Sequence, residues 1–257
     1  MRIFHTLTDW LAVRQALAPA ITLGFVPTMG NLHAGHASLY ERSRQENERT
    51  VASLFINPTQ FNQTEDFQNY PRSLEDDLAL LETLGVDYCI LPDQSMIYPD
   101  RYHYRIVETE LSSMLEGQYR PSHFEGVLTV VMKLLNVVNA NKAYFGEKDY
   151  QQYLLIKGMV DAFFMRVHIT FCPTVREATG LAFSSRNNRL KPEERCLAEE
   201  FAHIFHHGSS CEDIMTKLQA RGIKIDYIVD YQQRRFAAVH IGNIRLIDNY
   251  PIIEDVL

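Results

Sequence analysis

Pro27-Thr28-Met29-Gly30-Asn31-Leu32-His33-Ala34-Gly35-His36 follows an apolar run, Ile21 to Val26, and leads into a segment with helical patterning. The order predicts a strand, a glycine-bearing turn carrying two histidines, and a helix start. A helix N-terminus gathers unpaired backbone N–H groups and about half a positive charge, and histidines three residues apart can both face an anion placed there. The chemistry this suits is the handling of a nucleotide's phosphates, with Gly35 letting the backbone approach them closely. A His-x-x-His pair in isolation has plainer readings: a metal site, or one hydrogen-bonded core histidine beside a solvated one. Strand-to-helix placement with Gly30 and Gly35 favours the phosphate reading.

A second candidate phosphate loop lies far downstream, in Arg176-Glu177-Ala178-Thr179-Gly180-Leu181-Ala182-Phe183-Ser184-Ser185-Arg186-Asn187. Ser184, Ser185 and Arg186 offer hydroxyls and a forked cation, groups that hold β- and γ-phosphates and stabilise charge on departing pyrophosphate. Alone, Ser-Ser-Arg is a common surface turn; its weight comes from the histidine loop beside it in the same chain. Phe145-Gly146-Glu147-Lys148-Asp149-Tyr150-Gln151-Gln152 follows a short apolar strand signal, and Phe55-Ile56-Asn57-Pro58-Thr59-Gln60-Phe61 ends another. Both blocks fall where a parallel sheet presents ligands.

The elements that must position these residues are legible as alternation. Apolar runs at Thr22 to Val26, Val51 to Ile56, Asp87 to Leu91, Ala143 to Phe145 and Val167 to Cys172 alternate with helical patterns, which predicts a doubly wound parallel α/β sheet. Val127, Val130, Val131, Leu134, Leu135 and Val138 recur at helical spacing and are expected to pack on that sheet. Beyond about Val175 the pattern changes to helical stretches at Pro192 to His207 and Cys211 to Arg221, then β-like runs at Ile225 to Tyr231 and Arg235 to Ile247. The expected organisation is a nucleotide-binding domain over 1–175 and a smaller α+β lid domain over 176–257, whose movement brings the Ser184-Ser185-Arg186 loop onto the phosphates.

Composition narrows the class further. The 257 residues, 46% hydrophobic, can bury a core without disulfides, and a formal net charge of −7 argues against a broad nucleic-acid footprint. Cys89, Cys172, Cys196 and Cys211 lack a Cys-x-x-Cys spacing, so neither a zinc ribbon nor a secreted framework is expected and a cytoplasmic setting fits. His206, His207 and Cys211 can be nominated as metal ligands, but their amphipathic helical context favours ordinary surface positions. No apolar run is long enough to span a bilayer, and no membrane association is expected.

The pattern His33-x-Gly35-His36 resembles the signature of nucleotidylyl transferases and class I aminoacyl-tRNA synthetases. With the Phe55–Phe61, Phe145–Gln152 and Arg176–Asn187 blocks and the segment Tyr119-Arg120-Pro121-Ser122-His123-Phe124-Glu125-Gly126-Val127, the sequence resembles the pantothenate synthetase (pantoate–β-alanine ligase) family. The likeness runs over roughly residues 20 to 190 and returns weakly at Arg245-Leu246-Ile247-Asp248-Asn249. It implies a Rossmann-like nucleotidylyl transferase fold and two steps: ATP and pantoate give pantoyl adenylate and pyrophosphate, then the amine of β-alanine displaces AMP.

The same resemblance implies the site. His33, His36 and Lys148 contact the phosphate chain as catalytic groups, with His36 favoured as a proton donor. The ATP pocket comprises Met29, Gly30, Asn31, Leu32, His33, Ala34, Gly35 and His36, then Gly146, Glu147, Lys148 and Asp149, with Gly146 and Asp149 at the ribose. Val175 contacts the adenine, and Phe183, Ser184, Ser185 and Arg186 complete the set. Gln60 and Gln152 bind pantoate; Phe55, Phe61 and Tyr150 either wall its gem-dimethyl group or simply pack. Mg2+ accompanies ATP, and Asp76 is the nominated carboxylate, although an acidic residue three after Ser73 also suits a helix start. A homodimer is implied. Thr179, Phe183 and Glu125 depart from the family pattern, where an acidic residue, a methionine and a basic residue are usual. Another nucleotidylyl transferase, or an ATP-binding protein without turnover, would share the histidine and serine loops; the first would not need the glutamine pair.

Overall fold

Among residues 1–252, which the computed structural model describes, the first strands are β1 (Arg2–Phe4), β2 (Leu23–Thr28), β3 (Arg49–Leu54), β4 (Tyr88–Ile90), β5 (Lys142–Gly146) and β6 (His168–Cys172). They are joined through helices α1 (Leu7–Ala16), α2 (Ala34–Glu46), α3 (Thr64–Gln68), α4 (Leu74–Thr83), α5 (Gln94–Ile97), α6 (Glu116–Tyr119), α7 (His123–Val138) and α8 (Tyr150–Ala162). The strands form one parallel sheet in the order β1-β4-β3-β2-β5-β6. The edge strand β1 adds to the runs legible in the sequence.

Both faces of this sheet are covered, as parallel sheets require. Phe25, Val51, Ile90, Ala143, Phe145 and Ile169 pack with Trp10 of α1, with α7 and with α8 on one side. Their strand neighbours Val26, Ala52, Cys89, Tyr144 and Cys172 pack with Leu39 and Tyr40 of α2 and Leu81 of α4 on the other. The period of two along each strand therefore sorts two cores. All six residues of the α7 stripe are buried, each contributing about 1.5–3 kcal/mol by leaving water. Trp10, fully buried, donates its indole N–H to Val137 O at 2.9 Å and ties α1 to α7.

Strand order fixes where a ligand belongs. From β2 the chain passes through α2 to β3 on one side, whereas β5 and then β6 add on the other. The winding reverses between β2 and β5, which are hydrogen-bonded neighbours, so Thr28 and Gly146 end adjacent strands at a topological switch point.

The chain divides into two compact units, Met1–Glu147 with Gln151–Cys172, and Lys148–Tyr150 with the chain from Pro173 onward. The second unit carries α9 (Pro192–His207), α10 (Cys211–Ala220) and an antiparallel sheet of β7 (Lys224–Tyr231), β8 (Arg234–Ile241) and β9 (Ile244–Pro251). Its core joins Phe201 and Phe205 of α9, Ile214 and Leu218 of α10, and Ile228, Val239 and Leu246 of the strands. The β-like run from Arg235 to Ile247 is thus two strands, folded back at Gly242 (φ 56°). Residues 253–257 of the expected second domain lie outside the described residues.

Candidate active site

After β2 the chain turns through Gly30 (φ 79°) and Asn31 (φ 50°) before entering α2. Gly30 adopts this left-handed backbone freely, and a Cβ there would lie 2.8 Å from Asp77 Oδ2. Asp77, in the first turns of α4 and 4% exposed, holds the loop: Oδ2 accepts the Asn31 N–H at 2.8 Å and Oδ1 accepts the Leu32 N–H at 2.7 Å. The Ser73 hydroxyl donates to the same Oδ1 at 3.3 Å. These backbone N–H groups are committed, so Asn31 and Leu32 would meet a ligand through other atoms. Asp76 is exposed on the same turn, and Ser73 makes no side-chain cap to α4.

His33 is the N-cap of α2, with extended backbone (φ −146°, ψ 178°), and its Nδ1 accepts the Gly35 N–H at 3.1 Å. An accepting ring nitrogen carries no proton, so the neutral imidazole holds its proton on Nε2. His36 sits one turn along, its ring centroid 4.1 Å from that of His33 with 34° between planes. Two imidazoles and the positive end of a 13-residue helix are thereby concentrated at the carboxyl end of β2.

Gln60 is brought to the same loop. Asn57, 1% exposed, organises it: Oδ1 accepts from the Tyr98 hydroxyl at 2.7 Å and the Thr59 hydroxyl at 3.0 Å, while Nδ2 donates to Gln60 Oε1 at 2.9 Å. The other end of the Gln60 amide, Nε2, donates to Met29 Sδ at 3.2 Å. Burial pushes the Tyr98 phenol up to about 12, which keeps it a neutral donor. α7 closes on this segment because Gly126 has no side chain; a Cβ there would lie 2.4 Å from Thr59 O.

Gly146 ends the neighbouring strand, and no heavy atom lies within 4 Å of where its Cβ would be. Packing does not demand a glycine there; close approach of a ligand would. Of the two adjacent glutamines, Gln151 is buried and spent on anchoring, donating to Leu111 O and Met114 O at 2.8 Å each and accepting the Glu116 N–H at 3.0 Å. Gln152 is half-buried and outside that anchor. Glu125, the departure from the family's usual basic residue, pairs with Arg105 at 3.0 Å, so its charge is compensated within the same unit. Phe61 packs edge-on against Phe67 and Tyr70, at 5.3 Å and 5.6 Å between centroids.

In the second unit, Lys148 Nζ lies 3.9 Å from Asp149 Oδ1, and Lys148 O accepts from Asn249 Nδ2 at 2.8 Å. Tyr150 lies under the Arg234 guanidinium, 4.1 Å from carbon to ring centroid. The serine loop starts as a narrow reversal: Phe183 donates its N–H to Val175 O at 3.1 Å, and the turn passes through Gly180 (φ 88°) beside the exposed Thr179. Ser184 Oγ accepts the Arg186 N–H at 3.3 Å, and Ser185 is buried.

Arg176 anchors that loop with a two-pronged pair to Asp248, at 2.7 Å and 2.9 Å, and His206 Nε2 lies 2.9 Å from Asp248 Oδ2. Burial opposes ionisation of Asp248, but the bonds to His206 and Arg176 outweigh it and hold its carboxyl below the usual range. Asp248 and Asn249 thus support both the serine loop and the Lys148 backbone, a role the weak likeness at Arg245–Asn249 did not reveal. His207 Nδ1 lies 2.8 Å from His203 O, and the Cys211 thiol donates to Asp230 at 3.3 Å. Among the described residues no group of three or more His, Cys, Asp or Glu is placed to hold a metal ion.

A family model described as pantoate-beta-alanine ligase matches residues 2–251. Pantothenate synthetase of Legionella pneumophila (strain Corby) is 58% identical over 250 residues, spanning 97% of this chain and 99% of the relative. Pantothenate synthetase of Coxiella burnetii (strain Dugway 5J108-111) is 52% identical over 254 residues, 99% and 98% of the two chains. The crystal structure of pantoate-beta-alanine ligase from Francisella tularensis, complexed with beta-gamma ATP and beta-alanine, superposes with a TM-score of 0.95 at 42% identity, covering 98% of each chain. Pantothenate synthetase from Thermus thermophilus gives 0.89 at 39% identity, over 99% of this chain and 100% of that one. The chain belongs to the pantoate–β-alanine ligase family.

Proposed function

We propose that this protein condenses pantoate with β-alanine at the expense of ATP, forming pantothenate, AMP and pyrophosphate through a pantoyl adenylate. The observation that carries the proposal is the junction at the end of β2, where the paired His33 and His36 rings at a helix start share one loop with a Gln60 amide bonded to Met29. A phosphate-handling group and a group suited to a hydroxy acid meet there, as adenylation of a carboxylate needs. Family membership supports the substrates.

In the first step a pantoate carboxylate oxygen bonds to the α-phosphorus of ATP while the bond to the bridging oxygen of pyrophosphate breaks. No protein nucleophile is needed; the residues align reactants and stabilise moving charge. His33 donates from Nε2–H, His36 is the proton-donating partner, and Lys148 follows the charge to the leaving pyrophosphate, which Ser184, Ser185 and Arg186 receive. Gly146 and Asp149 take the ribose, Met29 and Val175 the base side of the nucleotide, and Gln60 and Gln152 hold pantoate. In the second step the β-alanine amine attacks the acyl carbon and AMP leaves.

Magnesium enters as part of the ATP substrate. It would be held mainly by phosphate oxygens and water, and exposed Asp76 is the one carboxylate assigned to it. The proposal extends, on the strength of the family, to a cytoplasmic homodimer. The test is isotope exchange between pyrophosphate and ATP: dependence on pantoate supports the ligase, dependence on a phosphorylated acceptor in its place contradicts it, and ATP binding without exchange contradicts turnover.

A further inference from the structure

We infer that Asp77 is a positioning residue for adenylation, acting through the Met29–Leu32 loop and not by touching a reactant. The inference rests on the ligase reading of that loop. Two consecutive residues there, Gly30 and Asn31, have positive φ, and Asn31 is not a glycine. Asparagine tolerates left-handed backbone better than other non-glycine residues, yet this is a minority conformation that a local bond must select. Asp77 is what fixes it, with one carboxylate oxygen on the Asn31 N–H and the other on the Leu32 N–H.

A carboxylate beneath a loop assigned to polyphosphate is electrostatically adverse unless its charge is used locally. Here both oxygens accept from backbone donors, Ser73 adds a hydroxyl to one of them, and the side chain is buried. These bonds leave it unsuited to be a metal or substrate ligand and well suited to set the loop's path. That path ends at His33 and His36, so an error in the loop is transmitted to the two imidazoles directly. α4 thus does for the nucleotide loop what Asn57 does for Gln60: it locks the direction in which a ligand-facing group points.

The test is Asp77→Asn in the full chain. An amide keeps the size but turns an N–H donor towards one of the two loop N–H groups, so one bond becomes a repulsion. Pantoate-dependent pyrophosphate exchange should lose about a hundredfold in kcat, the scale expected for a small misplacement of reacting groups. The KM for pantoate should stay within about threefold, because Asn57 still holds the Oε1 end of the Gln60 amide, and amide exchange at Asn31 and Leu32 should accelerate while α4 stays protected. A merely structural role would lower the melting temperature without splitting kcat from KM. Should Asp77→Asn fold poorly, Gly30→Ala leaves Asp77 and α4 intact, drives a methyl against Oδ2, and is expected to give the same split. A folded Asp77→Asn or Gly30→Ala variant with parental kcat overturns this inference alone. Absence of exchange in the parent protein overturns the ligase reading and this inference with it.

Discussion

His33 Nδ1 accepts the Gly35 N–H at 3.1 Å, so a single imidazole both caps α2 and keeps its proton on Nε2. Cap and donor are separable by substitution. His33→Asn retains a side chain that caps well, and should hold the parental melting temperature while slowing adenylation by about a hundredfold. His33→Ala should lose the donor and about 1 kcal/mol of stability as well. His36→Ala should slow adenylation by about two to three powers of ten, with ATP affinity little changed, because the phosphate contacts proposed for Lys148, Ser184, Ser185 and the helix start would remain. Single-turnover adenylation, ATP binding and thermal unfolding on one preparation check this; a folded, ATP-binding His36→Ala variant with parental adenylation removes His36 from the chemistry.

Gln60→Ala and Gln152→Ala should weaken pantoate more than ATP. The Gln60 amide is held by Asn57 at one end and Met29 at the other, so its loss alters the acid side of the loop without touching the His33 cap. Calorimetric titration of both ligands decides it, and equal losses for the two would mean general damage to the loop.

The second unit should show an acid limb set by Asp248. Its carboxyl is held below its ordinary value of 3.8 by His206 and Arg176 against the opposing effect of burial. A carboxyl with a depressed folded-state pKa stabilises fully above its unfolded value and loses that contribution as pH falls through the folded one. The stabilisation should therefore be present above about pH 4 and drain away below it. Asp248→Asn should flatten this limb and cost about 3–5 kcal/mol near neutrality, since it strands the partly buried Arg176. Melting temperatures of parent and variant that fall in parallel below pH 4 would contradict the assignment.

The strand, turn and helix from Leu23 to Glu46 were legible in the sequence because apolar run, glycine turn and helical pattern occur in that order, each long enough to show its period. β1, three residues long, is too short to show one. The fold-back between β8 and β9 was written in Gly242-Asn243, a hairpin pair between apolar runs. The one between β7 and β8 uses Gln232 (φ 48°) and Gln233 (φ 58°), residues without that signature, held left-handed by the strands they join. In the candidate site, the residues nominated for chemistry stood out as motifs, and the groups that hold them in place did not. Histidine is outside the usual N-cap set, so the His33 cap was hidden. Asp77 left a trace: it stands one turn before Leu81, a carboxylate on the apolar face of α4, and such a group must be bonded. The Asn57 hub joins Tyr98, Thr59, Gln60 and Gly126 across up to 69 residues, and no local pattern encodes that.

Adenylation of pantoate should precede, and not need, the amine. Pantoate and ATP already contain every atom that reacts in the first step. Rapid mixing of the protein with ATP, magnesium and pantoate, without β-alanine, should release a burst of one pyrophosphate per active site and then stall with the acyl adenylate bound; a burst that appears only when β-alanine is present, or one that appears without pantoate, would rule out a pantoyl adenylate formed ahead of the amine.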